Sequence, residues 1–191
     1  ELRALKPDNR FVAIEPSEEM ALICRDKGLH VEQTCLEDMD GGGKTFDVIT
    51  AFELLEHVYD PAAFVRSMYD ALSPGGKLVL TTLNGQGFDI LVLWEHSKSV
   101  FPPHHLNFFN PCSLEMLMRR SGFAEVVVET PGKLDWDIVE GAINKERRRP
   151  GRFWEFFARR CDAKTKSALQ EFFVTHGLSS HMRVTATKPK A

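Results

Sequence analysis

Residues 46–82 read FDVITAFELLEHVYDPAAFVRSMYDALSPGGKLVLTT, and their pattern decides the fold. Phe46 to Ala51 is a short apolar run, suited to a strand buried on both faces of a parallel sheet. Asp60 offers a side-chain oxygen to free helical N–H groups, and Pro61 suits the first helical position. Phe64, Val65, Met68 and Leu72 recur at three- and four-residue steps and give this helix one apolar stripe. Ser73-Pro74-Gly75-Gly76 is expected to stop the helix and turn the chain, and Lys77 to Thr82 forms a second strand. The whole is a βαβ unit, whose crossover is nearly always right-handed. Ligands in such sheets bind beyond the carboxyl ends of the strands, here Phe52 to His57 and Leu83-Asn84-Gly85.

On the amino-terminal side, Glu1 to Leu5 reads as a helix tail and Lys6 to Asn9 as a turn. Arg10 to Ile14 is a strand ending at Glu15-Pro16-Ser17. An acid at such a strand end suits the hydroxyl pair of a ribose. The competing reading is an exposed acid favoured by the dipole of the next helix. Ser17 caps that helix, Glu18 to Lys27, and Gly28 ends it. His30 to Thr34 is a weak strand, followed by Cys35-Leu36-Glu37-Asp38. The run Asp40 to Lys44 neither follows a strand nor opens a helix, so it is a flexible loop and not a phosphate loop.

On the carboxyl-terminal side, Asn84 to Phe101 reads as a mobile flap or a short helix over an acceptor site. Pro102 to Phe109 then sets His104 and His105 among aromatic residues. A histidine of ordinary pKa takes a proton from a hydroxyl near neutral pH. The alternative is that His105 bonds backbone and anchors the next helix, which starts at Asn110-Pro111 and carries Leu114, Leu117 and Met118. Ala124 to Glu129 is a further strand. Residues 131–180 hold three helices, marked by Ile138, Val139, Ala142 and Ile143, by Phe153, Trp154, Phe156 and Phe157, and by Leu169, Phe172 and Phe173. They read as a lid or a dimer surface. The basic link from Lys145 to Arg152 is a solvated hinge, with a phosphate-bearing acceptor as the sharper alternative. Met182 to Lys188 is the last strand.

The 191 residues suffice for one ordinary domain with a real core. A net charge of −3 gives no reason to expect nucleic acid or an acidic membrane as partner. Four scattered cysteines, Cys24, Cys35, Cys112 and Cys161, read as reduced thiols of a cytoplasmic protein. No apolar run approaches the ~18 residues of a membrane span. Glu53, Glu56 and His57 have the residue types of a divalent-metal trio. Hydrogen bonds that hold their loop explain them as well, and no metal is assigned.

The segments FDVITAFELLEHVYDP, LSPGGKLVLTTLN and HHLNFFNPCSLEMLMRRSGF, in this order and spacing, resemble class I S-adenosylmethionine-dependent methyltransferases, in the branch of the ubiquinone-biosynthesis O-methyltransferases. The likeness covers about Arg10 to Phe123. It implies a Rossmann-like, doubly wound, mostly parallel α/β sheet with an antiparallel last strand. The core is then residues 1–130 and 181–191, with 131–180 a helical insertion that is a lid or a dimerisation element. The first strand of the family pattern, with its G-x-G-x-G turn, is missing from the chain. Upstream residues are expected to supply it, and the strands at Arg10–Ile14 and Phe46–Ala51 are then expected not to pair with each other.

The resemblance further implies S-adenosylmethionine as cofactor, with Glu15 and Pro16 at its ribose, Leu36 and Glu37 at its adenine, and Phe52 and Glu53 at its methionine part. It implies methyl transfer to a small molecule at oxygen, nitrogen or carbon. His104 or His105 is then the base, and Asn84 orients the acceptor. The alternative is a non-catalytic binding module that lacks the glycine-rich turn and does not take the cofactor. A dinucleotide oxidoreductase is a third reading, opposed by the LLEHV segment and the antiparallel last strand. A homodimer through the helical insertion is the one macromolecular partnership expected.

Overall fold

The computed structural model describes residues 10–39, 45–145 and 147–190. The expected helix tail at Glu1–Leu5, the turn at Lys6–Asn9 and the loop at Asp40–Lys44 lie outside them. The chain divides into two compact units, residues 1–44 and 45–191.

In the first unit, strand β1 (Val12–Ile14) pairs in parallel with β2 (His30–Glu32), and helix α1 (Glu18–Asp26) connects them. The bond from Glu15 N to Glu32 O, 3.1 Å, carries the ladder one residue past β1. Ser17 Oγ accepts the Met20 amide, Glu18 and Glu19 occupy the first turn, and Gly28 leaves the helix at φ +76°.

In the second unit, β3 (Phe46–Phe52), β4 (Leu72–Leu83), β5 (Ala124–Glu129) and β6 (His181–Thr187) form one sheet in the order β3-β4-β6-β5. β3 and β4 are parallel, and β6 runs antiparallel to both of its neighbours. β6 therefore begins where β4 and β5 end, which brings its first residues to the ligand end of the sheet. Among the described residues β1 pairs with β2 and β3 with β4, and no ladder joins β1 to β3.

Helix α2 (Pro61–Ala71) is capped by Asp60, whose Oδ1 accepts the Ala62 and Ala63 amides. Helix α4 (Pro111–Arg120) starts in a capping box of Asn110 and Ser113. Phe64, Val65 and Met68 of α2 and Leu114 and Met118 of α4 are buried, as are Leu78, Leu80, Met182, Val184 and Ala186 of the sheet. The alternate strand positions point to the other face, where Val48, Phe52 and Val127 are exposed.

The turn expected at Ser73–Gly76 lies inside the bounds of β4, where it forms a bulge with Gly75 in a left-handed conformation. These residues are the first part of β4: Leu72 pairs with Phe46, and a register shift follows before Val48 pairs with Lys77. Gly75, at φ +83°, donates its amide to Lys188 O at 2.9 Å, and Lys188 N returns a bond to Gly76 O at 2.9 Å. A partner from late in the chain holds this Pro-Gly-Gly bulge in place.

Between β4 and β6 lie α3 (Phe88–Leu93), a single 3-10 turn (Trp94–His96), and, after β5, α5 (Asp135–Asn144), α6 (Arg152–Arg160) and α7 (Ala163–Thr175). The reading of 84–101 as a flap or short helix resolves to the helix. Its Phe88 and Leu93 share a buried cluster with Trp136, Val139, Ile143, Phe157 and Phe173. Phe88 stacks on Phe173 with ring centres 3.9 Å apart and meets Trp154 edge-on at 4.9 Å. The three-helix segment thus borrows part of its core from the chain that follows β4. Its second stripe is only partly inward: Phe153 and Phe156 are exposed.

Candidate active site

In the first unit, Glu15 stands at the carboxyl end of β1, and its Oε1 accepts the Ser17 amide at 2.9 Å. A carboxylate has acceptor capacity beyond one such bond. Leu36 and Glu37 follow the carboxyl end of the parallel neighbour β2, with Leu36 half-buried and Glu37 exposed, so all three lie past the same end of that sheet. An acid able to accept a hydroxyl pair, and a half-buried apolar side chain past the neighbouring strand, have the chemistry that the adenosine part of S-adenosylmethionine requires. Pro16 is exposed.

In the second unit, Phe52 and Glu53 end β3, both exposed. Glu53 adopts φ +49°, a left-handed conformation that non-glycine residues rarely take and that is concentrated at functional sites. It is held there by its amide, which reaches Thr81 O at 2.9 Å and Thr81 Oγ1 at 3.2 Å. Its Oε2 accepts from Nδ1 of His181, the first residue of β6, at 2.8 Å. Burial of Glu53 works to raise its pKa, but the hydrogen bonds from His181 and Thr81 and the His181 charge outweigh it and hold the carboxyl below its ordinary value. The Glu53 hydrogen bond raises the His181 pKa. Desolvation opposes this, and the charges of Glu53, Asp89 and Asp135 add to the rise.

Glu56 and His57 point to other partners. Glu56 is buried and accepts from Thr82 Oγ1 at 2.7 Å. His57 Nδ1 meets His104 O at 2.7 Å; because a carbonyl only accepts, that nitrogen carries the proton. Asn107 Nδ2 bridges Leu55 O and Val58 O, closing the same loop. Among the described residues no three His, Cys, Asp or Glu side chains are grouped to hold a metal ion.

His104 is exposed and stacks on Phe101 with ring centres 5.0 Å apart. His105 is half-buried, donates Nδ1 to Ser99 O at 2.6 Å, and lies 4.8 Å from the His57 ring. Both Nδ1 positions being spent on carbonyls, Nε2 of His57 and of His105 is the acceptor nitrogen of each neutral ring. Ser99 continues inward: its Oγ, with that of Ser97, donates to Oδ2 of buried Asp89.

Asn84, expected to orient an acceptor, is fully buried, and its side chain bonds the scaffold. Its Nδ2 donates to Gly177 O at 3.0 Å and Ser179 O at 2.8 Å, and its Oδ1 accepts the Gln86 amide at 3.0 Å. Asp135 Oδ1 takes the Ser180 amide at 2.6 Å, and its Oδ2 takes Gln170 Nε2. Together Asn84 and Asp135 fix the turn that delivers His181. The sequence reading had no role for His181, Asp89 or Asp135. The available signal was Ser179-Ser180-His181 placed before an antiparallel strand that must begin at the ligand end. A groove beyond β5, lined by Pro111, Glu129, Pro131 and Val174 among others, involves none of these residues.

A four-stranded α/β sheet with one antiparallel strand inserted next to its edge, in the second unit, is of the Rossmann-like, class I methyltransferase type. Residues 1–130 match the family model described as "Methyltransferase domain", and the chain belongs to that family. The chain is 38% identical over 84 residues to the ubiquinone biosynthesis O-methyltransferase of Xanthomonas euvesicatoria, covering 41% of this chain and 35% of that protein. It is 40% identical over 131 residues to the protein of the same name from Cereibacter sphaeroides, covering 59% and 53%. The matches thus span about half or less of these curated relatives. A SAM-dependent methyltransferase of Thermotoga maritima has the same fold, with TM-score 0.60 at 22% identity over 93% of this chain and 72% of that one.

Proposed function

We propose that the protein transfers a methyl group from S-adenosylmethionine to a hydroxyl oxygen of a small molecule. The match of residues 1–130 to the methyltransferase domain carries this reading, in a sheet whose last strand is antiparallel. The names of the curated relatives support oxygen as the atom methylated. When bound, the cofactor supplies an electrophilic methyl group on a sulfonium, so no covalent enzyme intermediate is required and alignment supplies much of the rate. The chain's own residues have three tasks. Glu15 accepts the ribose hydroxyls, with Leu36 against the adenine and Glu37 beside it. Phe52 offers an exposed ring to the methionine part. His104 and His105 border the acceptor side, and Asn84 holds the turn before His181 in the scaffold.

The test is transfer of an isotopically labelled methyl from S-adenosylmethionine to a panel of phenols, alcohols and amines, read by mass spectrometry. Label on a phenolic or alcoholic oxygen is expected. Label found only on amines contradicts the oxygen assignment, and no transfer to any acceptor contradicts the reading as a whole.

A further inference from the structure

The histidines of the second unit do not all hold their rings in the same way. His57, His105 and His176 each spend Nδ1 on a backbone carbonyl. His181 instead donates Nδ1 to a carboxylate, Glu53 Oε2, at 2.8 Å. That leaves Nε2 as the acceptor of the neutral ring, on a side chain that is about half exposed at 52%. A carbonyl orients an imidazole and stabilises its cation only by a dipole. A carboxylate brings a full charge to the imidazolium that forms when Nε2 takes a proton.

Both members of this pair are fixed in place. Glu53 is set at φ +49° by its amide bonds to Thr81. The backbone before His181 is held from two sides, by Asn84 N donating to Ser180 O at 2.8 Å and by Asp135 Oδ1 accepting Ser180 N at 2.6 Å. The charged groups that act on His181 come from three elements: Glu53 after β3, Asp89 in α3 and Asp135 in α5. All are carboxylates, and all favour a proton on the ring. Beside them, Asp89 Oδ1 and Ser180 Oγ are buried without a hydrogen-bond partner among the described residues.

We propose that His181 takes the proton of a phenolic acceptor hydroxyl through Nε2, and that Glu53 is its positioning residue. This rests on the methyl-transfer reading above. In the step, the acceptor oxygen bonds the methyl carbon as the carbon–sulfur bond breaks, the sulfonium becomes a thioether, and the hydroxyl proton passes to Nε2. A phenol is the fitting class, because its pKa near ~10 lies closer to an imidazole than that of an aliphatic alcohol. The same geometry assigns the base to a residue outside the His104–His105 segment.

The experiment uses catechol as acceptor. Binding of S-adenosylhomocysteine is first measured by calorimetry; its absence overturns the methyl-transfer reading and this proposal with it. With S-adenosylhomocysteine bound, adding catechol should move the His181 imidazole resonances of the unmutated, 15N-labelled protein. Unmoved resonances overturn the proposal without need of any variant. His181→Gln should lower kcat by about 10²–10⁴-fold with S-adenosylhomocysteine affinity kept within about threefold, the scale of lost general-base catalysis. Glu53→Gln should move the acid limb of the kcat profile to lower pH, along with the NMR titration midpoint of His181. A His181→Gln kcat within threefold of the parent, an unmoved acid limb in Glu53→Gln, or no methylation of catechol by the parent protein each overturns it.

Discussion

Glu53 Oε2 and His181 Nδ1, 128 residues apart in sequence, lie 2.8 Å from each other and tie the end of β3 to the start of β6. The Glu53 pKa is lowered from 4.5, so its stabilising contribution is present above that value and is lost as pH falls through the folded-state pKa. The His181 pKa is raised from 6.5, so its contribution is complete below that value and is lost as pH rises through the folded-state pKa. The pair therefore contributes fully between pH 4.5 and 6.5. Both side chains are substantially exposed, so the effect is about 0–1 kcal/mol. Thermal melts of the parent and Glu53→Gln across pH should differ most in that window and converge on either side.

Asn84→Ala should destabilise the protein by about 2–6 kcal/mol. It strips the amide donors from Gly177 O and Ser179 O in a buried place, at about 1–3 kcal/mol for each polar group left unsatisfied. Urea unfolding measures this, and a loss under about 0.5 kcal/mol contradicts the scaffold role.

Phe88→Ala should cost about 3–5 kcal/mol, the usual range for a buried aromatic removed from a packed cluster. The same urea series reads it. The loss should appear together with increased hydrogen exchange in α5 and α7, whose Trp136 and Phe173 contact the Phe88 ring. Exchange unchanged in those helices would show that the helical segment has a core of its own.

Gly87→Ala should also destabilise, by about 1–3 kcal/mol through overpacking. A Cβ at Gly87 would lie 2.7 Å from Ser180 Cα and 2.9 Å from Asn84 O, and neither backbone atom is free to yield. A variant as stable as the parent in thermal melts would refute this tight approach of the 84–87 loop to the turn before His181.

The βαβ unit was legible because its signals are local. Asp60 caps, Pro61 starts and the Phe64–Met68 stripe repeats within a dozen residues. The Ser73–Gly76 turn was legible from its proline and glycines, but its place inside a strand depends on Lys188, more than a hundred residues away. The aromatic crowd at 153–157 announced a helix but not its inward face, which is set by Phe88 from another part of the chain. The acids at strand ends were visible from order alone. The Glu53–His181 pair was not, since it exists only because β6 inserts antiparallel beside β4 and starts at the ligand end. The bonds of Asn84 were out of reach in the same way, since the turn at Gly177–Ser179 that they hold lies more than ninety residues further on.

Calorimetric titration with S-adenosylmethionine, for the parent protein and for Glu15→Ala, bears most directly on the central claim. Saturable binding by the parent, weakened by about 1–3 kcal/mol in Glu15→Ala as for a hydrogen bond to a charged group, is the predicted result. No binding by the parent, or equal affinity in both proteins, would contradict the account.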